Sequence, residues 1–257
     1  MKKPGAILIT GANSGIGQAL AIEYAGPNQE LFLVARNKKR LEEIKKKCQE
    51  KGAKVNILDI DVREKEKINK FLKKISIKNN IDLVIANAGI SAAKISDIEE
   101  QEQIEELIDI NIKGVLNIIN PVQRIMMEQK NGQIVIMSSL ASFKAVPGSE
   151  SYSASKAYVR VFGEGLRLKL AKFNIKVNVI CPGYVKTPLT YLNNFPMPFL
   201  ISSKKAAKII KKGLDKNKSR IAFPWVLYGL ILFITSLPVR LSDYIFMKLP
   251  RYSKKEK

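Results

Sequence analysis

In Ala6-Ile7-Leu8-Ile9-Thr10-Gly11-Ala12-Asn13-Ser14-Gly15-Ile16-Gly17 an apolar run ends in a loop holding three glycines, and helical spacing of apolar residues starts inside that loop and continues to Tyr24. A strand that enters a glycine-rich turn opening a helix is the first half of a βαβ unit. The glycines let the backbone turn tightly and approach a pyrophosphate, whose charge is met by free N–H groups and by the positive end of the helix dipole. Glycines form turns in many proteins, so the placement between strand and helix carries the inference. Met1-Lys2-Lys3 followed by Ala6–Ile9 imitates a secretory leader, but Gly11, Asn13, Ser14, Gly15 and Gly17 break the apolar run too early.

Outward from that loop the chain alternates. Strand-like apolar runs fall at Ala6–Thr10, Leu31–Ala35, Val55–Leu58, Leu83–Ala86, Gln133–Met137 and Ile175–Ile180. Between them Gly15–Tyr24, Arg40–Glu50, Lys65–Lys74, Glu99–Met127 and Tyr152–Lys172 carry apolar residues three and four apart, as helices do. Strands apolar on both faces and alternating with helices predict an α/β fold, a doubly wound, Rossmann-type parallel sheet of about seven strands with Ile221–Phe223 as the seventh. Two units are expected: a dinucleotide-binding and catalytic domain over residues 1–223 and a C-terminal apolar and basic extension over 224–257.

Composition narrows the chemistry. The 257 residues include no histidine and only Cys48 and Cys181, which excludes histidine-based triads and Cys/His zinc sites, so no metal site is expected. Two cysteines do not make a disulfide framework and fit a reducing, cytoplasmic setting. The net charge of +21 is concentrated: residues 204–257 hold 14 basic and three acidic side chains, over half of the excess. An anionic partner is implied, either lipid or nucleic acid. Nucleic acid is disfavoured, because the lysines are not interleaved with an aromatic platform and no recognised module is present.

Further motifs follow in order. Asn87-Ala88-Gly89 stands after the fourth strand, Ser138-Ser139 after the fifth, then Tyr152-Ser153-Ala154-Ser155-Lys156, and Pro182-Gly183-Tyr184-Val185-Lys186-Thr187 after the sixth. With the Gly-x-x-x-Gly-x-Gly spacing of Gly11, Gly15 and Gly17, this set resembles the short-chain dehydrogenase/reductase family over roughly Pro4 to Thr187.

The chemistry also follows from the residues. Tyr152 and Lys156 are four apart and share a helix face, so the ammonium is expected to lower the phenol pKa from about 10 toward working pH. Tyr152 can then act as general acid to a carbonyl oxygen or as base to a hydroxyl. The resemblance implies the same role for Tyr152. It also implies a substrate-orienting serine at Ser139, with Ser138 as runner-up, a ribose contact for Lys156, and a water of the proton relay anchored by Asn111. Asn111 alone could equally satisfy a backbone group.

For the cofactor, Ala35 stands where an acidic residue would bind the adenosine ribose diol, and Arg36 follows it, offering a charge-assisted contact to a 2′-phosphate. NADP is therefore expected over NAD. The loop residues Asn13, Ser14 and Ile16 are expected to join the glycines at the cofactor. The resemblance implies an adenine contact from Asp61-Val62, and a nicotinamide contact from Val185 and Thr187 beyond the Pro182-Gly183 turn. Asp61 could instead cap the helix that begins near Glu64. The resemblance further implies a substrate lid over Pro188–Ser203, where Leu189, Tyr191, Leu192, Phe195, Met197, Phe199 and Leu200 suggest either an apolar, lipid-like substrate or a loop packed onto the core. It implies dimers or tetramers paired through the helices Glu99–Met127 and Tyr152–Lys172.

From Ile221 to Val239 no residue is charged, yet once the seventh strand is subtracted Pro224–Val239 is too short to span a membrane comfortably. Leu237, Leu241, Ile245 and Leu249 recur every fourth residue with Arg240, Asp243 and Lys248 off that line, and Trp225 and Tyr228 are candidate interfacial aromatics. Peripheral or monotopic attachment to an anionic membrane surface is expected. The alternative is an arm closing the substrate pocket or a dimer interface. In sum the residues predict an NADP-dependent carbonyl/alcohol oxidoreductase, with a non-catalytic cofactor-binding sensor or scaffold as the other reading.

Overall fold

The computed structural model of the chain describes residues 4–78, 80–91, 99–145, 148–191 and 196–248. Strands β1 (Ala6–Thr10), β2 (Glu30–Val34), β3 (Lys54–Leu58), β4 (Leu83–Ala86), β5 (Gly132–Met137) and β6 (Ile175–Pro182) precede a small parallel pair, β7 (Val185–Lys186) with β8 (Ile201–Ser202), and then β9 (Arg220–Phe223). The main sheet runs β3-β2-β1-β4-β5-β6-β9, with every neighbouring pair parallel. This is the expected seven-stranded, doubly wound architecture.

All five residues of β1 are buried, and they divide by parity. Ile7 and Ile9 join the core under α1 (Gly15–Tyr24), α2 (Lys38–Gln49) and a helix late in the chain, whereas Ala6 and Leu8 join the core under α3 (Lys65–Lys78) and the helices that follow it. A strand covered on both faces has no polar side, which is why its sequence reads as an unbroken apolar run. Along the second face lie α4 (Gln101–Leu107), α5 (Gly114–Gln129) and α6 (Glu150–Leu170). The single helix expected over Glu99–Met127 is continuous but not uniform, because a π-helical segment, Ile108–Lys113, joins α4 to α5. Asn111 lies within this wider turn and is fully buried.

After β7 come α7 (Pro188–Tyr191), α8 (Ser203–Asp215), α9 (Trp225–Ser236) and α10 (Val239–Lys248). Helix α8 completes the first face: Ala206, Ala207, Ile210 and Leu214 are buried against it, and Ser202 caps it by accepting from the Lys205 N–H at 3.2 Å. Helix α9 lies over a smaller cluster of Leu140, Val179 and Cys181, onto which Leu227, Tyr228 and Ile231 pack.

Tyr228, expected beside Trp225 as an interfacial aromatic, is turned to the protein instead. Arg220 Nη1 donates to its hydroxyl at 2.9 Å, and its ring lies 5.5 Å from that of Phe143. The Arg220 guanidinium, ion-paired with Glu164, also stands over Phe143. The expected apolar line of α10 faces outward at Leu241 while Ser242 is buried; Leu249 lies outside the described residues. Among the described residues no helix is long and apolar enough to cross a membrane. Cys48 and Cys181 are both buried free thiols.

Candidate active site

The strand order reverses beside β1, whose neighbours β2 and β4 leave in opposite directions, and a crevice opens at the carboxyl ends of these strands. One cavity of about 830 Å³ occupies it. Of the residues expected in catalysis or at the cofactor, all but Gly17 and Asn111 line this cavity, and those two contact its lining, Gly17 at Gly11 and Asn111 at Ile90.

Thr10, buried at the end of β1, ties the two strands: its hydroxyl accepts from the N–H groups of Asn87 and Ala88, both at 3.0 Å. Asn87 answers by donating its amide to the Thr10 carbonyl at 3.0 Å. Gly11 has a positive φ of 64°, and a Cβ there would lie 2.9 Å from Ala88 Cα. At Gly17 a Cβ would lie 2.3 Å from the Gly11 carbonyl oxygen. Both positions need glycine for the loop to fold back on β4. Ser14 at the start of α1 makes no side-chain cap and no acidic residue follows in the first turn, so the first N–H groups of α1 are left for a group in the cavity. An electropositive helix start lined by Asn13, Ser14 and Gly15 fits a pyrophosphate.

Ala35 and Arg36, expected at the adenosine ribose, line the cavity where β2 ends. Arg36 is 59% exposed and 3.7 Å from Asp61. Burial pushes the Asp61 carboxyl up, but hydrogen bonds from Arg63 and the charges of Arg63 and Arg36 hold it below its ordinary value. Arg63 grips Asp61 through Nε at 3.1 Å, Nη2 at 2.8 Å and its own backbone N–H at 2.9 Å. The carboxylate therefore shapes the turn before α3 as well as lining the cavity.

At the other end α6 presents Tyr152 and Lys156. Ser138, the runner-up serine, donates to the Lys156 carbonyl at 2.8 Å and so holds α6 to β5. Ser139 lines the cavity as Ser138 does, and its hydroxyl is hydrogen-bonded with the Tyr152 phenol. The first choice, Ser139, is thus bonded to the phenol and the runner-up, Ser138, to the backbone of α6. Asn111 accepts from the Ile90 N–H at 2.9 Å and donates to the Ile90 carbonyl and to Ser155 Oγ, both at 3.0 Å. Its amide is a clamp between the exit of β4 and α6, the backbone-satisfying role that stood as its alternative. Gly89 is enclosed by this clamp, since a Cβ there would lie 2.9 Å from Asn111 Oδ1 and 3.0 Å from Lys156 Nζ.

One expectation is corrected. Lys156 does not draw the Tyr152 phenol down: burial raises that pKa, opposed only by the bond with Ser139. The ammonium stands 5.8 Å from the centre of the Tyr152 ring and donates to the Met137 carbonyl at 3.3 Å. Removal from water disfavours both charged forms, and burial pushes the Lys156 ammonium down to about 8.

Thr187 and Val185, expected at the nicotinamide, line the cavity beside Pro188. Thr187 sits 3.0 Å from a Cβ placed on Gly15, and Thr190 bridges both residues, donating to the Val185 carbonyl at 2.9 Å and accepting from the Thr187 N–H at 3.0 Å. Leu189 and Phe199 of the expected lid line the cavity, while Leu192 and Phe195 lie outside the described residues. The C-terminal helices line it too, through Leu227, Leu230, Ile231 and Ile234 of α9 and Phe246 of α10, with Leu140 beneath. These residues were not assigned to the site from sequence. For those of α9 the signal was the uncharged run Ile221–Val239, read first as a surface anchor and alternatively as an arm closing the substrate pocket.

The profile of the short chain dehydrogenase family matches residues 5–194. An uncharacterized oxidoreductase of Myxococcus xanthus is 34% identical over 86% of this chain and 87% of its own length. A 3-oxoacyl-(acyl-carrier-protein) reductase of Thermotoga maritima is 33% identical over 71% of this chain and 75% of its own. A short-chain dehydrogenase from Sphingobium yanoikuyae, solved in complex with NADPH, superposes with a TM-score of 0.79 at 26% identity, covering 90% of this chain and 95% of that one. With the glycine loop, the Ser-Tyr-Lys group and the sheet order all agreeing, the chain belongs to the short-chain dehydrogenase/reductase family and is an NAD(P)-dependent oxidoreductase.

Proposed function

We propose that the enzyme prefers NADP and interconverts a carbonyl and a secondary alcohol on an apolar substrate. The observation that carries this reading is the meeting of two surfaces in one cavity: Ser139, Tyr152 and Lys156 on one side, and the apolar wall of Leu140, Leu227, Ile231, Ile234 and Phe246 on the other. The dinucleotide, held by the α1 loop, Arg36 and Lys156, supplies a hydride when bound. Ser139 and Tyr152 converge on the oxygen of the reacting carbon, Ser139 orienting it and Tyr152 giving or taking its proton. The buried phenol keeps its proton through neutral pH, which favours its service as the acid of a reduction. The apolar wall admits a hydrocarbon group and excludes water from the reacting end.

Arg36, exposed at the cavity rim with no acidic residue at the end of β2, supports the choice of NADP. The Arg36→Ala variant is expected to raise the KM for NADPH about tenfold or more and leave that for NADH nearly unchanged. In the same assay, kcat/KM over a series of ketones should grow by up to about fourfold for each added methylene until the cavity is filled. Equal use of NADH and NADPH would overturn the cofactor preference, and a flat series would overturn the apolar substrate. The exposed Tyr158, Val161 and Leu168 on one side of α6 support pairing of two chains along that helix.

A further inference from the structure

Helix α9 is apolar on both sides. Leu227, Leu230, Ile231 and Ile234, at positions i, i+3, i+4 and i+7, line the substrate end of the cavity. The opposite side carries Val226, Leu232 and Phe233 beside Trp225, and it is turned outward: Trp225 is 80% exposed and Phe233 63%. No residue from Trp225 to Ser236 is charged. A helix that is apolar all round belongs in apolar surroundings, and here protein covers only half of it. The outward side of α10 continues the surface with Val239, Leu241, Tyr244 and Met247. Leu189, Phe199 and Leu230 are each both exposed and part of the cavity lining, so the mouth of the cavity opens at this patch.

Charge decides what covers it. Arg240 and Lys248 flank the exposed stripe of α10, and from Val239 to Lys257 the chain carries six basic and two acidic residues. A second copy seated here would bring the same cations face to face, whereas an anionic surface is attracted by them. The 12 residues of α9 extend only about 18 Å, short of a bilayer core, so the helix lies on a membrane rather than across it.

We propose that α9 and α10 seat the enzyme on an anionic bilayer with the cavity mouth facing the acyl chains. In that position α9 is at once the wall of the cavity and the lipid-facing surface, and a membrane-dissolved carbonyl compound passes from leaflet to Tyr152 without crossing water. Trp225 and Phe233 are the insertion points, and Arg240 and Lys248 of α10 rest on the headgroups. The delivery step rests on the reading of the cavity as the seat of an apolar carbonyl substrate; the docking step does not.

The test uses the full chain with vesicles of phosphatidylcholine alone and of phosphatidylcholine with phosphatidylglycerol. Flotation is expected with the anionic vesicles, to weaken with salt, and to fall about tenfold or more in Trp225→Glu/Phe233→Glu. That variant should reduce a short water-soluble ketone at the wild-type rate, which also shows that it folds, and should lose turnover of a long-chain ketone carried in the vesicles. Absence of flotation, or equal flotation on the two vesicle types, overturns the docking surface whatever the enzyme reduces. A concentration-dependent dimer abolished by the same variant, with no flotation, assigns the patch to a second copy. Flotation with equal turnover of vesicle-borne ketone by variant and wild type overturns delivery from the leaflet. Flotation with no ketone reduced by either protein keeps the docking surface and removes the proposed function.

Discussion

Lys156 is 5% exposed, and its ammonium, held down to about 8 by burial, titrates inside the working range of an enzyme. While charged it makes charge-assisted hydrogen bonds, to the Met137 carbonyl and to the proposed dinucleotide; once neutral it holds them less strongly. Carbonyl reduction should therefore be steady below neutrality and decline as pH rises through about 8, read from kcat/KM, which reports the free enzyme. Stability moves the other way. Between about 8 and the ordinary lysine value of 10.5 the unfolded chain binds the proton that the folded chain has lost, so this residue's contribution to stability rises with pH across that window. A reductive profile that climbs between pH 7 and 9 would contradict the assignment. The spacing of Tyr152 and Lys156 was legible as a shared helix face, but the sign of the phenol shift was not. Spacing reports neighbours, and the burial that dominates here is a property of the whole fold.

The elements were legible wherever a strand is covered on both faces, as in β1, β4 and β5, because continuous burial leaves a continuous apolar run. Helix α8 was less so. Its buried positions Ala206, Ala207, Ile210 and Leu214 follow helical spacing, yet its lysines draw attention to charge rather than period. The π-helical turn at Ile108–Lys113 has no periodic signal of its own, since it depends on what Asn111 reaches once α6 and β4 are assembled. Asn111→Ala would leave the N–H and carbonyl of Ile90, both part-buried, without this partner, with an expected cost of about 1–2 kcal/mol. Urea unfolding of the variant measures it. A loss below about 0.5 kcal/mol would mean that the clamp does not hold the β4 exit.

At the scale of the molecule, the dinucleotide end and the substrate end of the cavity come from different parts of the chain. The first is built by β1 to β4 and their loops, close in sequence and readable as motifs. The second is walled by α9 and α10, more than 80 residues beyond Ser139, and only the folded chain brings Leu227 and Phe246 over Tyr152. The proposed pairing along α6 is a further matter of the whole molecule. Leu168, 81% exposed, is expected at the centre of the pair, and Leu168→Glu should shift the mass measured by light scattering from dimer or larger toward monomer. An unchanged assembly would place the contact elsewhere.

The central claim is that Tyr152 supplies the proton in an NADP-linked carbonyl reduction, and its most direct test compares the initial rate of NADPH oxidation by wild type and Tyr152→Phe on a long-chain ketone. NADPH binding to each protein is followed in parallel by the quenching of Trp225. The account predicts turnover lowered by about a hundredfold to ten-thousandfold in the variant, with binding kept. Equal rates in the two proteins would contradict it, and so would cofactor binding without turnover in the wild type on any ketone of the series.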